Sequence, residues 1–161
     1  MARSKRRESP EKRAVRRLGL VLFLIYLVCL IYFLFFADWY NHTPGSHIAP
    51  QYNLVPFREI RRFLVYRKHF SRMSLFLNLG GNIIGFLPFG FFLPVISRMF
   101  RKGWLVTLLG CLMSSCVELV QLVTRTGCCD VDDVILNTLG AAIGYLLFLI
   151  CDAVRRIVYV R

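Results

Sequence analysis

Four stretches of this chain, at about 18–37, 75–96, 104–123 and 134–151, are each apolar and close to the length a helix needs to cross a bilayer, roughly 20 residues. A backbone in hydrocarbon must satisfy its own N–H and C=O groups, and a single continuous apolar segment does so as a helix. The hydrophobic content, 57% of 161 residues, is too high for an ordinary soluble domain. The chain therefore reads as an all-α integral membrane protein with four transmembrane helices. A basic segment over 1–17 precedes a transmembrane domain over 18–151, and a basic tail over 152–161 follows. The first apolar run is longer than a typical signal core, and no small-x-small cleavage site follows it, so it is expected to stay as an uncleaved anchor.

The net charge of +12 would suit nucleic acid, but the basic residues flank the apolar runs. Arg3, Lys5, Arg6, Arg7, Lys12, Arg13, Arg16 and Arg17 precede the first span, where basic side chains set orientation and touch anionic lipid. No separate soluble domain is left to bind a duplex. The six cysteines do not form a disulfide framework or a zinc pattern. Cys29, Cys111, Cys116 and Cys151 fall in spans, and Cys128 and Cys129 are adjacent in a loop. His42, His47 and His69 read as solvated loop residues, and Asn41-His42-Thr43 as a chance glycosylation sequon.

Short cytoplasmic loops are rich in Lys and Arg. The N-terminus, the Ser97–Gly103 connection (Arg98, Arg101, Lys102) and the tail (Arg155, Arg156, Arg161) all meet that rule, which places both termini in the cytoplasm. The acidic connection with Asp130, Asp132 and Asp133 then lies outside. So does the longer connection 38–72, although it is itself basic. Within it Phe57, Ile60, Phe63, Leu64 and Phe70 recur at roughly helical spacing, with Arg58, Arg61, Arg62 and Lys68 between them. This predicts a short amphipathic helix at the membrane surface, whose cations either collect anionic head groups or snorkel beside the bundle. Trp39 and Tyr40 suit the outer aromatic belt, and Trp104 the inner one.

Polar residues inside the spans are costly and usually functional. In the third span Thr107, Cys111, Ser114, Glu118, Gln121 and Arg125 alternate by fours and threes, which puts them on one helix face. In the fourth, Asp133, Asn137, Gly140 and Gly144 do the same, and Asp132 or Asp133 suits the helix start as a cap. In the second, Asn78, Asn82 and Gly85 share a face, Gly81 and Gly85 form a close-packing GxxxG, and Pro88 and Pro94 follow. Asn78, Asn82, Glu118, Gln121 and Asn137 should each lie roughly 5–15 Å below the outer helix ends. Three helices are thus expected to present amides and a carboxylate to one another.

Three readings of that cluster stay open. It could be a ligand or substrate pocket, a structural knot of interhelical hydrogen bonds, or a divalent-cation site of Glu118, Asp130, Asp133 and an amide oxygen. Glu118 needs a proton or a cation such as Arg125, and a buried carboxyl in a cleft is a candidate acid or base. No Ser-His or Cys-His pair has a nucleophile's spacing; Ser114 and Ser115 are the hydroxyls nearest Glu118.

Four ordered motifs resemble the VanZ-like family of bacterial membrane proteins. They are Asn53-Leu-Val-Pro56-Phe57-Arg58-Glu59-Ile60, Asn78-Leu-Gly-Gly-Asn82 continuing through Phe86-Leu-Pro88-Phe-Gly90 to Pro94, Ser115-Cys-Val-Glu118-Leu-Val-Gln121, and Asp130-Val-Asp132-Asp133 continuing through Asn137 and Gly140 to Gly144-Tyr145. Members often carry an arginine two or three residues before the first loop aspartate, whereas here Thr126-Gly127-Cys128-Cys129 separates Arg125 from Asp130. The resemblance implies a cell-envelope role in a bacterial cytoplasmic membrane, by analogy with an accessory protein that raises teicoplanin tolerance, but no particular reaction. Two functions follow as expectations. In one, a polar cleft of Asn78, Asn82, Gln121, Arg125, Asp130, Asp133 and Asn137, with Arg58, Arg61, Arg62 and Lys68 on the head groups, binds membrane lipids, a lipid-linked envelope precursor or a lipid-tailed glycopeptide. In the other, Glu118 acts as acid or base on a lipid-linked substrate. No cofactor and no thiol metal site is read from the sequence.

Overall fold

The structure, a computed structural model, describes residues 10–36, 52–69, 71, 73, 76–124 and 128–159. In chain order these form α1 (Pro10–Phe36), β1 (Tyr52–Asn53), α2 (Arg58–Val65), a π turn (Phe76–Gly80) running into α3 (Gly81–Ile96), a 3-10 turn (Arg98–Arg101), α4 (Gly103–Thr124), β2 (Cys129–Asp130) and α5 (Val131–Tyr159). Four helices are long and apolar enough to cross a membrane, over Pro10–Leu34, Phe76–Ile96, Gly103–Thr124 and Val131–Val158. The four-span expectation and the short helix between the first two spans are both met. Helices α1 and α5 overrun their apolar stretches, where flanking residues such as Glu11, Lys12, Arg13, Arg155 and Arg156 are good helix formers.

The bundle is organised around the contact between α3 and α5, its most extensive helix pair; α4 packs on α5, and α1 lies against α3. Glycine sets that contact. A methyl group at Gly140 would overlap the carbonyl of Ile83, one at Gly144 the carbonyl of Leu87, and one at Gly90 the carbonyl of Ala141. The two backbones therefore touch directly, as small residues permit where no hydrophobic force drives membrane helices together. The expected pair Gly81 and Gly85 does not make this contact. A Cβ at Gly81 would meet nothing within 4 Å, and one at Gly85 would meet only Leu30 Cδ1, at 3.9 Å. The face of α3 turned to α5 carries Ile83, Leu87 and Gly90, at spacings of four and three, and Gly81 and Gly85 lie off that face.

Around this contact Leu30, Phe86, Phe89, Leu93, Val106 and Ala141 form the buried core. Pro88 and Pro94 stand within α3, which continues through both to Ile96. Elsewhere the apolar surface faces outward, with Leu24, Val28, Phe33, Leu112, Leu119 and Leu147 all exposed, as lipid-facing side chains should be. The two ends of the bundle differ in charge. At one, Asp152 is buried and holds Arg101, Arg155 and Arg156, while Arg16 Nε donates to the Ile96 carbonyl at 2.7 Å. At the other lie α2, the π turn, the end of α4 and a two-residue parallel ladder that pairs Tyr52 with Cys129 and Asn53 with Asp130.

The glycine contact separates two otherwise similar substitutions. Gly140→Ala should destabilise the fold by about 1–3 kcal/mol through overpacking, read as a lower melting temperature in detergent and lower membrane abundance. Gly81→Ala should leave both unchanged.

Candidate functional site

Four consecutive residues at the acidic end, Asp130 to Asp133, send their three carboxylates to three different places. Asp130 stands just before α5 and caps it: Oδ1 accepts the N–H of Asp132 at 2.9 Å. The same oxygen accepts from Asn53 Nδ2 at 3.1 Å, and Asn53 Oδ1 in turn accepts the Val55 N–H. The backbone N–H of Asp130 donates to Glu118 Oε2 at 2.9 Å, so the end of α4 is tied to the start of α5. The sequence reading gave the cap to Asp132 or Asp133; both point elsewhere, because Asp130 already occupies the N-cap position.

Asp132, 1% exposed, accepts the N–H groups of Phe57, of Glu59 at 2.7 Å and of Ile60 at 3.1 Å. These are the unpaired donors of the first turn of α2. Helix α2 has no side-chain cap of its own, since Phe57 precedes it in the left-handed region at φ 63° and carries no acceptor. A carboxylate from about 75 residues away in sequence supplies the cap, and its charge suits the positive end of the helix dipole. Asp133 accepts from Asn82 Nδ2 in α3, which also donates to the Asn78 carbonyl at 3.2 Å. One amide nitrogen has two protons, so Asn82 serves both.

One turn deeper, Asn137 Nδ2 donates to Ser114 Oγ at 2.8 Å between α5 and α4, both residues being buried. Asn137 Oδ1 and Thr138 Oγ1 are buried without a hydrogen-bond partner among the described residues. Gln121 is not part of this group: its Nε2 donates to the Leu34 carbonyl in α1 at 3.0 Å. The buried face of α4 is Val106, Gly110, Ser114, Val117 and Glu118. Thr107, Cys111 and Gln121 sit at its edge, and the Thr107 hydroxyl returns to the Gly103 carbonyl of its own helix.

The structure thus brings Glu118, Asp130, Asp133, Asn82 and Asn137 together and leaves Gln121 and the exposed Asn78 outside. Arg125 lies outside the described residues, as do Phe70, Trp39, Tyr40, His42 and His47. Among the described residues no group of three or more His, Cys, Asp or Glu side chains is placed to hold a metal ion. Arg58, Arg61, Arg62 and Lys68 are exposed, with Arg62 paired to Glu59 at 3.1 Å and Lys68 beyond the end of α2. On α2 Phe63 is buried and Ile60 half-buried, whereas Leu64 is exposed. Sequence reasoning passed over Asn53 and the true partner of Asp132, because each bonds a residue more than 70 positions away. The motif order was the available signal, since it set the Asn53 segment before the acidic run.

Burial pushes the Asp130 carboxyl above its ordinary range, and the Asp132 carboxylate adds to this. The hydrogen bonds from the Asp132 N–H and Asn53, and the charge of Arg58, oppose it. Partial burial also raises the thiols of Cys128 and Cys129, helped by the negative charges of Asp130 and Glu118.

The VanZ/LLP1 family model matches residues 23–152, which span all four helices and this acidic end. The chain belongs to the VanZ/LLP1 family. It is 29% identical to Protein VanZ of Enterococcus faecium over 134 residues, covering 79% of this chain and 71% of that protein. No solved structure matches it. A VanZ/LLP1 chain with four apolar spans is a multi-pass membrane protein, and each motif quoted from its sequence sends a residue to the acidic end: Asn53, Asn82, Glu118 and Asp130.

Two outcomes follow for this VanZ/LLP1 chain. Asp132→Ala leaves the first-turn N–H groups of α2 without their acceptor, at a cost of about 1–2 kcal/mol. Amide exchange at Phe57, Glu59 and Ile60 should speed up, with little change in the exchange of α3. A raised folded-state carboxyl contributes stability that is present below the ordinary value of 3.8 and lost as pH rises through the folded value. Asp130→Asn should therefore match the parent in detergent melting below pH 3.8, exceed it as pH rises through that window, and keep a constant advantage above it.

Proposed function

We propose that this chain is a cell-envelope protein that binds an anionic envelope lipid, or a lipid-tailed glycopeptide antibiotic, at its acidic end, and so contributes to envelope integrity or antibiotic tolerance. One observation carries the reading. Asp132 anchors α2 by its N-terminus, with Phe63 buried and Arg58, Arg61 and Arg62 outward. Arginines on the outer face of a helix at the membrane surface suit phosphate or carboxylate head groups. The apolar surface beside them, exposed at Leu54, Val55, Phe57, Leu64 and Val65, suits a lipid tail. Asn82, Asp133 and Asn137 supply the polar wall beneath, and Asn137 Oδ1, without a partner among the described residues, is an acceptor for a ligand donor.

In this proposal both termini are cytoplasmic and the acidic end faces outward, in accord with the arginines gathered at the opposite end. Glu118 supports a second reading, an enzyme acting on a lipid-linked substrate, through its burial beside Asp130 and Asp133. Ser114 is not activated by it: among the described residues Ser114 Oγ bonds Asn137, and Glu118 bonds the Asp130 N–H, so the hydroxyl meets no base.

Arg58→Gln, Arg61→Gln and Arg62→Gln together should lower teicoplanin tolerance at normal membrane abundance and reduce binding of anionic lipid on the order of tenfold or more. Glu118→Gln with unchanged tolerance at normal abundance, and lipid extracts free of any new species, would leave binding without chemistry. In a variant whose other cysteines are replaced, Cys128 should react with a membrane-impermeant maleimide in intact cells. The reaction should be slow near neutral pH and faster in alkali, since its thiol is raised. Labelling only after cell lysis would reverse the orientation.

A further inference from the structure

The opposite end of the bundle holds a feature that the acidic site does not use. An open cavity of about 220 Å³ lies between the start of α1 and the end of α3, lined by Arg13, Arg16, Arg17, Leu20 and Ile96. The four α1 residues fall at i, i+3, i+4 and i+7, so one helix face presents them together. Arginines that only snorkelled to water would have no reason to share the face that meets α3. Arg16 is held at the rim by its bond to the Ile96 carbonyl, one of the last-turn carbonyls at the negative end of the α3 dipole. Just beneath, Gly19 is buried against Val95, which brings the two helices together and closes the floor.

The lining has two parts. Three arginines line it together with the aliphatic Leu20 and Ile96, and no carboxylate is among the described lining residues. The cations occupy the first two turns of the candidate span Pro10–Leu34, and exposed Val21, Leu24 and Ile25 continue from them along α1. Charge at the interface level with lipid-facing aliphatic side chains directly below it matches an amphiphile. A soluble anion would use the guanidinium groups and leave the aliphatic wall idle. We propose that this cavity binds an anionic glycerophospholipid, with its phosphate between Arg13, Arg16 and Arg17 and its acyl chains along Leu20, Ile96 and the outer face of α1. Such a lipid would bridge α1 to α3. The cavity's α1 residues precede the segment matched by the family model, and the proposal stands or falls independently of the acidic end.

The test is native mass spectrometry of the full chain released from detergent with phosphatidylglycerol or with phosphatidylcholine of the same acyl chains. The parent should retain phosphatidylglycerol and not phosphatidylcholine. Arg13→Gln with Arg17→Gln should reduce retained phosphatidylglycerol on the order of tenfold or more, and Arg13→Lys with Arg17→Lys should keep most of it. Arg98→Gln with Lys102→Gln removes equal charge from the same end outside the cavity and should retain it. Equal retention of both lipids by the parent would overturn the proposal without recourse to any variant. So would an equal loss in the Arg98 and Lys102 variant, which would mean diffuse attraction. Displacement of the lipid by inorganic phosphate would reassign the cavity to a soluble anion and overturn it as well.

Discussion

The direct backbone contact between α3 and α5 decides where everything else in this protein stands. Gly140 and Gly144 bring α5 against the carbonyls of Ile83 and Leu87, and Gly90 returns the contact against Ala141. At that separation Asn82 on α3 meets Asp133 on α5, one on each side of the same seam. A larger residue on the seam would part the helices and leave the half-buried Asp133 carboxylate and Asn82 amide without each other. Fewer alternative partners are open to polar groups inside a bundle of apolar spans.

The acidic run at the head of α5 then works as a distribution point. Asp130 caps its own helix and takes Asn53, Asp132 takes the N-terminus of α2, Asp133 takes α3, and the Asp130 N–H reaches Glu118 on α4. The stretch from Asn53 into α2, then α3 and then α4 are all joined within four residues. Carboxylates suit this work because each accepts several N–H bonds and because helix N-termini attract negative charge. The result is a largely self-satisfied polar layer; among the described residues Asn137 Oδ1 and Thr138 Oγ1 are left without a partner.

A bundle so constructed has two unlike ends. One presents an amphipathic helix with exposed arginines, held at its N-terminus by Asp132. The other gathers arginines around Asp152 and along the first turns of α1. The binding proposed at the first end and the lipid attachment proposed at the second would draw on the same chemistry, guanidinium beside aliphatic surface. Enzymatic action would need a nucleophile beside Glu118, and among the described residues Ser114 bonds Asn137 rather than Glu118.

The local pattern of residues was enough to determine the helix count, the short surface helix and the membrane setting, because hydrophobic length and helical period are properties of contiguous segments. It also singled out Glu118, Asp133, Asn82 and Asn137, since polar groups inside apolar spans stand out by contrast. The choice among partners was decided only in three dimensions. Nothing adjacent to Asp132 tells that it caps a helix some 70 residues earlier, and nothing near Gln121 tells that it turns to the Leu34 carbonyl. Gly81 and Gly85 carry the close-packing spacing yet face away from α5, because spacing specifies a face and leaves open which neighbour that face will meet. That last choice depends on how whole helices rotate against one another, and the backbone contact of α3 with α5 settles the rotation.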